Sequence, residues 1–224
     1  MTRSQFLGIW LAVIAVAILV PAGARADTID SFVLTGAGGN PTGGGSNIAD
    51  GVYLLPYYGT INGVTPPVPL VCDDYAHDVS LGQSWSIVEN TLAGDLSLTR
   101  WDNATLYKEA FWLISQVSSN PTEIPGIQFA IWNLLDPVTA NSPAGSGVPD
   151  EQYWLTAANT AAANNFYGMT FNDYVILTPV DPTTGLVSDV GQEYILVTPE
   201  PSAILMFGTG ILGLLGIARR KLCM

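Results

Sequence analysis

Basic side chains are scarce in this chain: seven Lys and Arg stand against nineteen Asp and Glu, with one His and two Cys. Five of the seven, Arg3, Arg25, Arg219, Arg220 and Lys221, lie near the ends. Residues 27–198 therefore keep only Arg100 and Lys108 against eighteen acidic groups, a formal charge of −16. Such a surface repels a phosphate backbone, which excludes nucleic acid as a partner class. The chain also lacks internal repeats, a P-loop, a dinucleotide fingerprint, a zinc-ligand set and a G-x-S-x-G elbow. It thus assigns no cofactor, no metal and no catalytic residue of those kinds.

Long apolar runs are confined to the two ends. At the start, Arg3 precedes "FLGIWLAVIAVAILV" (6–20), and Ala24 and Ala26 supply the small residues of a cleavage site; residues 1–26 are expected to be a signal peptide read by the Sec export machinery. At the other end, Pro199-Glu200-Pro201 leads into an apolar run at 203–218, closed by Arg219, Arg220 and Lys221. Sixteen residues make a short transmembrane helix, and the basic tail would stay on the cytoplasmic side, leaving the body outside. The tripeptide, short span and terminal arginines resemble the PEP-CTERM sorting signal of Gram-negative bacteria. The resemblance implies an exosortase substrate over 199–224: an inner-membrane intermediate cut near Pro199-Glu200-Pro201, whose body passes to the cell surface or the extracellular polysaccharide matrix of a biofilm.

The body, 27–198, is long enough for one domain with a core. "IDSFVLT" (29–35) reads as a strand, and "GAGGNPTGGGSN" (36–47) breaks regular structure. "GVYLLPYYGTI", "VPLVCDD" and "QSWSIVEN" read as further strands. Helical spacing takes over at 104–117, with Asp102 or Asn103 as cap, then at 125–135 and 151–164, the last capped by Asp150. Each helix carries one tryptophan, Trp112, Trp132 and Trp154, which are expected to share a core. "NDYVILTPV" and "GQEYILVTP" close the body as a hairpin across "DPTTG". Strands, helices, then strands predict an α+β fold: an antiparallel sheet or sandwich with about three helices, plus the signal and sorting helices at the ends.

In the body one thiol, Cys72, stands without a cysteine partner, since Cys223 belongs to the tail. Four readings of it stand side by side: a buried inert thiol, an intermolecular disulfide, a Cys72/His77 nucleophile pair, and a crosslink to a side-chain carboxamide. In the second helix "IQFAIWNLL" is apolar around nearly its whole circumference and embeds Gln128. A buried amide without partners costs on the order of 2 kcal/mol, a cost that bonding to Cys72 with loss of ammonia would remove. The neighbouring "CDDYAHD" is expected to be a solvated acidic turn, with Asp73, Asp74 and Asp78 as weaker candidates for calcium. Tyr57 and Tyr58 read as exposed stacking faces.

"VCDD" and "IQFAIW", with "YKEAFWLISQ" between them, resemble the thioester domains of bacterial surface adhesins. That resemblance spans about 53–135; Val71 and Asp73 depart from its pattern. It implies a self-formed Cys72–Gln128 thioester, walled by Phe129, Ile131, Trp132 and Trp112, that captures an amine or hydroxyl of a surface or matrix partner in adhesion. This is single-use capture, not enzymatic turnover. The alternative is a noncovalent structural or carbohydrate-binding matrix protein.

Overall fold

In the computed structural model, residues 28–49, 51–137 and 150–198 are described. The signal segment with Ala24 and Ala26, the sorting tripeptide, the apolar run at 203–218 and the basic tail lie outside these residues. Among the described residues no helix is long and apolar enough to cross a membrane.

The fold is α+β, and its main sheet is a closed antiparallel barrel rather than an open sheet or sandwich. Strand β1 (Ile29–Gly36) pairs with β4 (Tyr57–Ile61), which pairs with β5 (Val68–Cys72). The order continues through β8 (Tyr194–Val197), β7 (Tyr174–Pro179) and β6 (Ser84–Asn90), which returns to β1. Closure leaves no unpaired edge, something a pattern of alternating residues does not encode. The run "GVYLLPYYGTI" is two strands, β3 (Val52–Tyr53) and β4, because Pro56 has no N–H to continue a ladder. Strand β3 pairs instead with the short β2 (Ile48–Ala49).

Three helices follow β6: α1 (Ala104–Gln116), α2 (Ile124–Leu135) and, after the segment 138–149, α3 (Glu151–Ala163). The Asn103 side chain caps α1, accepting from the Thr105 and Leu106 main-chain N–H groups. Asp150 makes no such cap; it takes a left-handed φ of 77° and contributes only its carbonyl, to Trp154.

Strand alternation divides the apolar residues in two. Phe32, Leu70, Cys72, Trp85, Leu177 and Tyr194 join Phe129 and Trp132 of α2 in one cluster. Val71, Ile176 and Ile195 face the other way and pack on Tyr107, Phe111, Ile131 and Trp154 from the helices. The three tryptophans therefore do not share a core: Trp154 is buried in the second cluster, Trp112 packs at its margin, and Trp132 belongs to the first. Gly59 has a steric role, since a Cβ there would meet the Phe32 ring at 2.3 Å.

Candidate functional site

Strand β5 ends at Cys72, whose side chain shares the apolar cluster of Tyr57, Trp85, Tyr194, Phe129 and Trp132. The residue is fully buried. Helix α2 brings Gln128, also fully buried, against the same strand end: its Nε2 donates to the Cys72 main-chain carbonyl at 2.8 Å. The amide oxygen Oε1 is buried without a hydrogen-bond partner. The thiol donates to the Asp74 carbonyl at 3.3 Å. Burial pushes the Cys72 thiol well up, and the charges of Asp74 and Asp73 add to it; the Asp74 backbone and the Trp132 side chain offset part of this. The pair thus joins a protonated sulfur and an under-satisfied amide in a dry setting.

The turn after β5 is solvated only in part: Asp78 is exposed, as expected, but the turn's first two residues are not. Asp73 and Asp74 are both fully buried, because this segment packs under β8 and the loop before α1 rather than projecting outward. Asp74 Oδ2 lies 2.7 Å from Arg100 Nε, Oδ1 lies 2.8 Å from His77 Nδ1, and the Glu193 main-chain N–H donates to Oδ2 at 3.2 Å. Arg100 also donates through Nη2 to the carbonyls of Ser188 and Gly191 at 2.9 and 2.8 Å. Gly191 takes φ 106° beneath the Trp85 ring, where a Cβ would sit 2.7 Å from the indole. Glu193 accepts from the Thr178 hydroxyl at 2.6 Å, the Tyr107 hydroxyl at 2.5 Å and the Arg100 main-chain N–H at 3.2 Å. Sequence reasoning missed Arg100 and Glu193 altogether. The one available signal was that Arg100 is one of only two basic residues in a strongly acidic body.

Of the anticipated pocket residues, the structure gathers Cys72, Gln128, Phe129 and Trp132. Ile131 and Trp112 face the other cluster, since position 131 lies on the opposite side of α2 from 129 and 132. His77 turns its ring to Asp74 and, at 3.7 Å, to Asp189. No hydrogen bond among the described residues joins it to Cys72, whose thiol points to the Asp74 carbonyl. Asp73, Asp74 and Asp78 do not converge as a metal-holding group, and none of three or more ligands occurs among the described residues. Tyr57 is buried rather than exposed, its hydroxyl donating to the Tyr53 carbonyl, and Tyr58 is half-buried.

A cavity of about 740 Å³ opens beside this cluster, walled by Tyr53, Tyr57, Tyr75, Asp78, Trp132 and Gln192 among others. Tyr75 packs on Trp132 with ring centroids 4.9 Å apart. Tyr57 and Trp132 are thus shared between the Cys72 cluster and a cavity large enough for a small ligand.

The chain matches the family model of the PEP-CTERM protein-sorting motif over residues 197–221. No curated protein and no solved structure matches the chain. The motif supports an exosortase-sorted protein exported across the membrane to the surface of a Gram-negative cell.

Proposed function

We propose that the body attaches covalently to a surface or matrix partner through a thioester formed between Cys72 and Gln128. The observation that carries this reading is the fully buried Gln128 amide, hydrogen-bonded at 2.8 Å to the main chain of Cys72 while its own oxygen lacks a partner. The Cys72 sulfur attacks the Gln128 acyl carbon, the carbon–nitrogen bond breaks, and ammonia leaves with the thiol proton. An incoming amine or hydroxyl then adds to the same carbon, the carbon–sulfur bond breaks, and the sulfur takes up the proton. Phe129 and Trp132 keep water from the bond, which matters because one hydrolysis spends it. Capture happens once per molecule, without turnover.

In this reading the nucleophile enters from the cavity beside Trp132, whose wall of Tyr57 and Trp132 stands between it and the buried Cys72 and Gln128. It also favours the second reading, a noncovalent carbohydrate module, because Tyr53 and Tyr75 offer aromatic faces beside the Asp78 carboxylate. Attachment to the matrix, with a role in biofilm adhesion, extends the sorting signal's surface address.

Intact mass decides between the two readings. The exported protein is expected to be lighter than its sequence by one ammonia, and Cys72→Ala and Gln128→Ala each restore the full mass. A wild-type protein of full mass whose thiol titrates on unfolding would leave the noncovalent reading.

A further inference from the structure

Three carboxyl groups, Asp73, Asp74 and Glu193, are fully buried around one guanidinium, that of Arg100. Their hydrogen bonds allocate the charge. Asp74 faces the guanidinium, and Glu193 accepts from two hydroxyls and a main-chain N–H. Asp73 receives nothing: both its oxygens are buried without a donor. A bare carboxylate is not tolerated in such a place, whereas a carboxylic acid that donates its own proton is. Glu193 is the acceptor beside it, and burial together with the charges of Glu193 and Asp74 pushes Asp73 well above the usual carboxylate range. Burial pushes Glu193 up as well, but its donors Thr178, Tyr107 and the Arg100 main chain offset part of this, so of the two carboxyls Asp73 is the one whose surroundings favour the acid form.

We propose that Asp73, kept as a neutral acid by sharing its proton with Glu193, is a positioning residue for Cys72 and Gln128, acting through the Asp74 turn that Arg100 clamps. This rests on reading those two side chains as the reacting pair. The chain of contacts is continuous: the guanidinium grips the Asp74 carboxylate, the Asp74 carbonyl accepts the Cys72 thiol, and the Cys72 carbonyl accepts the Gln128 amide. Loss of the Asp73 proton would place a third negative charge against a single buried cation. Repulsion would then loosen the turn and push the thiol further from ionising. The other groups around the pair are Tyr107 on α1, Thr178 on β7, Tyr194 on β8, and His77 with the exposed Asp189 at the rim.

The test compares the full-length chain with Asp73→Asn, whose amide still donates to Glu193 but cannot titrate. Each is refolded across about pH 5 to 10 and the rate of ammonia loss is read by mass. The ratio of the Asp73→Asn rate to the wild-type rate is expected to rise tenfold per pH unit once Asp73 gives up its proton. Parallel profiles, with the wild type losing ammonia, overturn the positioning role and leave the thioester standing. A wild type of full mass at every pH removes both. The shared proton has its own readout. A raised folded pKa means the native state binds more protons than the unfolded one, so melting temperature falls as pH rises from the unfolded carboxyl value near about 4 towards the folded value. Asp73→Asn is expected to flatten this decline; an unchanged slope overturns the assignment. If Asp73→Asn does not fold, Glu193→Gln, which offers Asp73 an N–H donor, is expected to move the decline to lower pH, and an unmoved decline overturns the proposal.

Discussion

Gln128 and Glu193 are both fully buried and both adjoin the segment around Cys72, yet their surroundings differ. Glu193 receives three donors from β7, α1 and the Arg100 main chain, and its neighbour Asp74 has a guanidinium. Gln128 uses one donor on Cys72 and leaves its oxygen bare among apolar rings. One region is a charged network in which Asp74 and Glu193 meet their partners; the other is a single amide left incomplete beside a thiol. A satisfied network sets a geometry, whereas the unsatisfied amide is the feature on which the proposed bond to Cys72 rests.

Arg100→Met probes the completed side and carries the largest expected effect. It strips the buried carboxylates of their cation, and chemical denaturation is expected to show a loss of about 3–5 kcal/mol. A loss below about 1 kcal/mol would mean that the network does not set the turn. Gln128→Met probes the incomplete side. It removes one hydrogen bond together with one orphan oxygen, so relative to wild type in which the bond to Cys72 has not formed the expected change is within about 1 kcal/mol; the ammonia deficit of the bonded wild type is expected to be absent from the variant. A destabilisation as large as that of Arg100→Met would erase the contrast. The smallest effect belongs to Tyr75→Ala at the cavity wall. Stability is expected to move by about 1 kcal/mol or less, while hydrolysis of the bond, followed as the gain of one water that leaves a glutamate side chain at position 128, quickens as Trp132 loses its cover.

Much of the secondary structure was legible because it follows from short-range pattern. The helices at 104–116, 124–135 and 151–163, the Asn103 cap and the β7–β8 hairpin all lie where apolar spacing and turn residues put them. Gln128 stood out for the same reason, as a polar side chain in an otherwise apolar helix. The acidic turn was misread because local composition suggests water, whereas Asp73 and Asp74 meet partners far along the chain, at Arg100 and Glu193. Ile131 and Trp112 were misassigned because apolar character does not say which of two clusters a helix face will join.

By itself, the sequence determined the acidic body, the alternation and periodicity of its elements, and the sorting motif at 197–221, since composition and local spacing need no partner to be read. Tertiary structure alone decided that the sheet closes, that the two aspartates are buried against one arginine, and that the amide of α2 lies against the end of β5. Those outcomes depend on which distant surfaces meet, and burial then converts ordinary side chains into groups that must be paired or protonated.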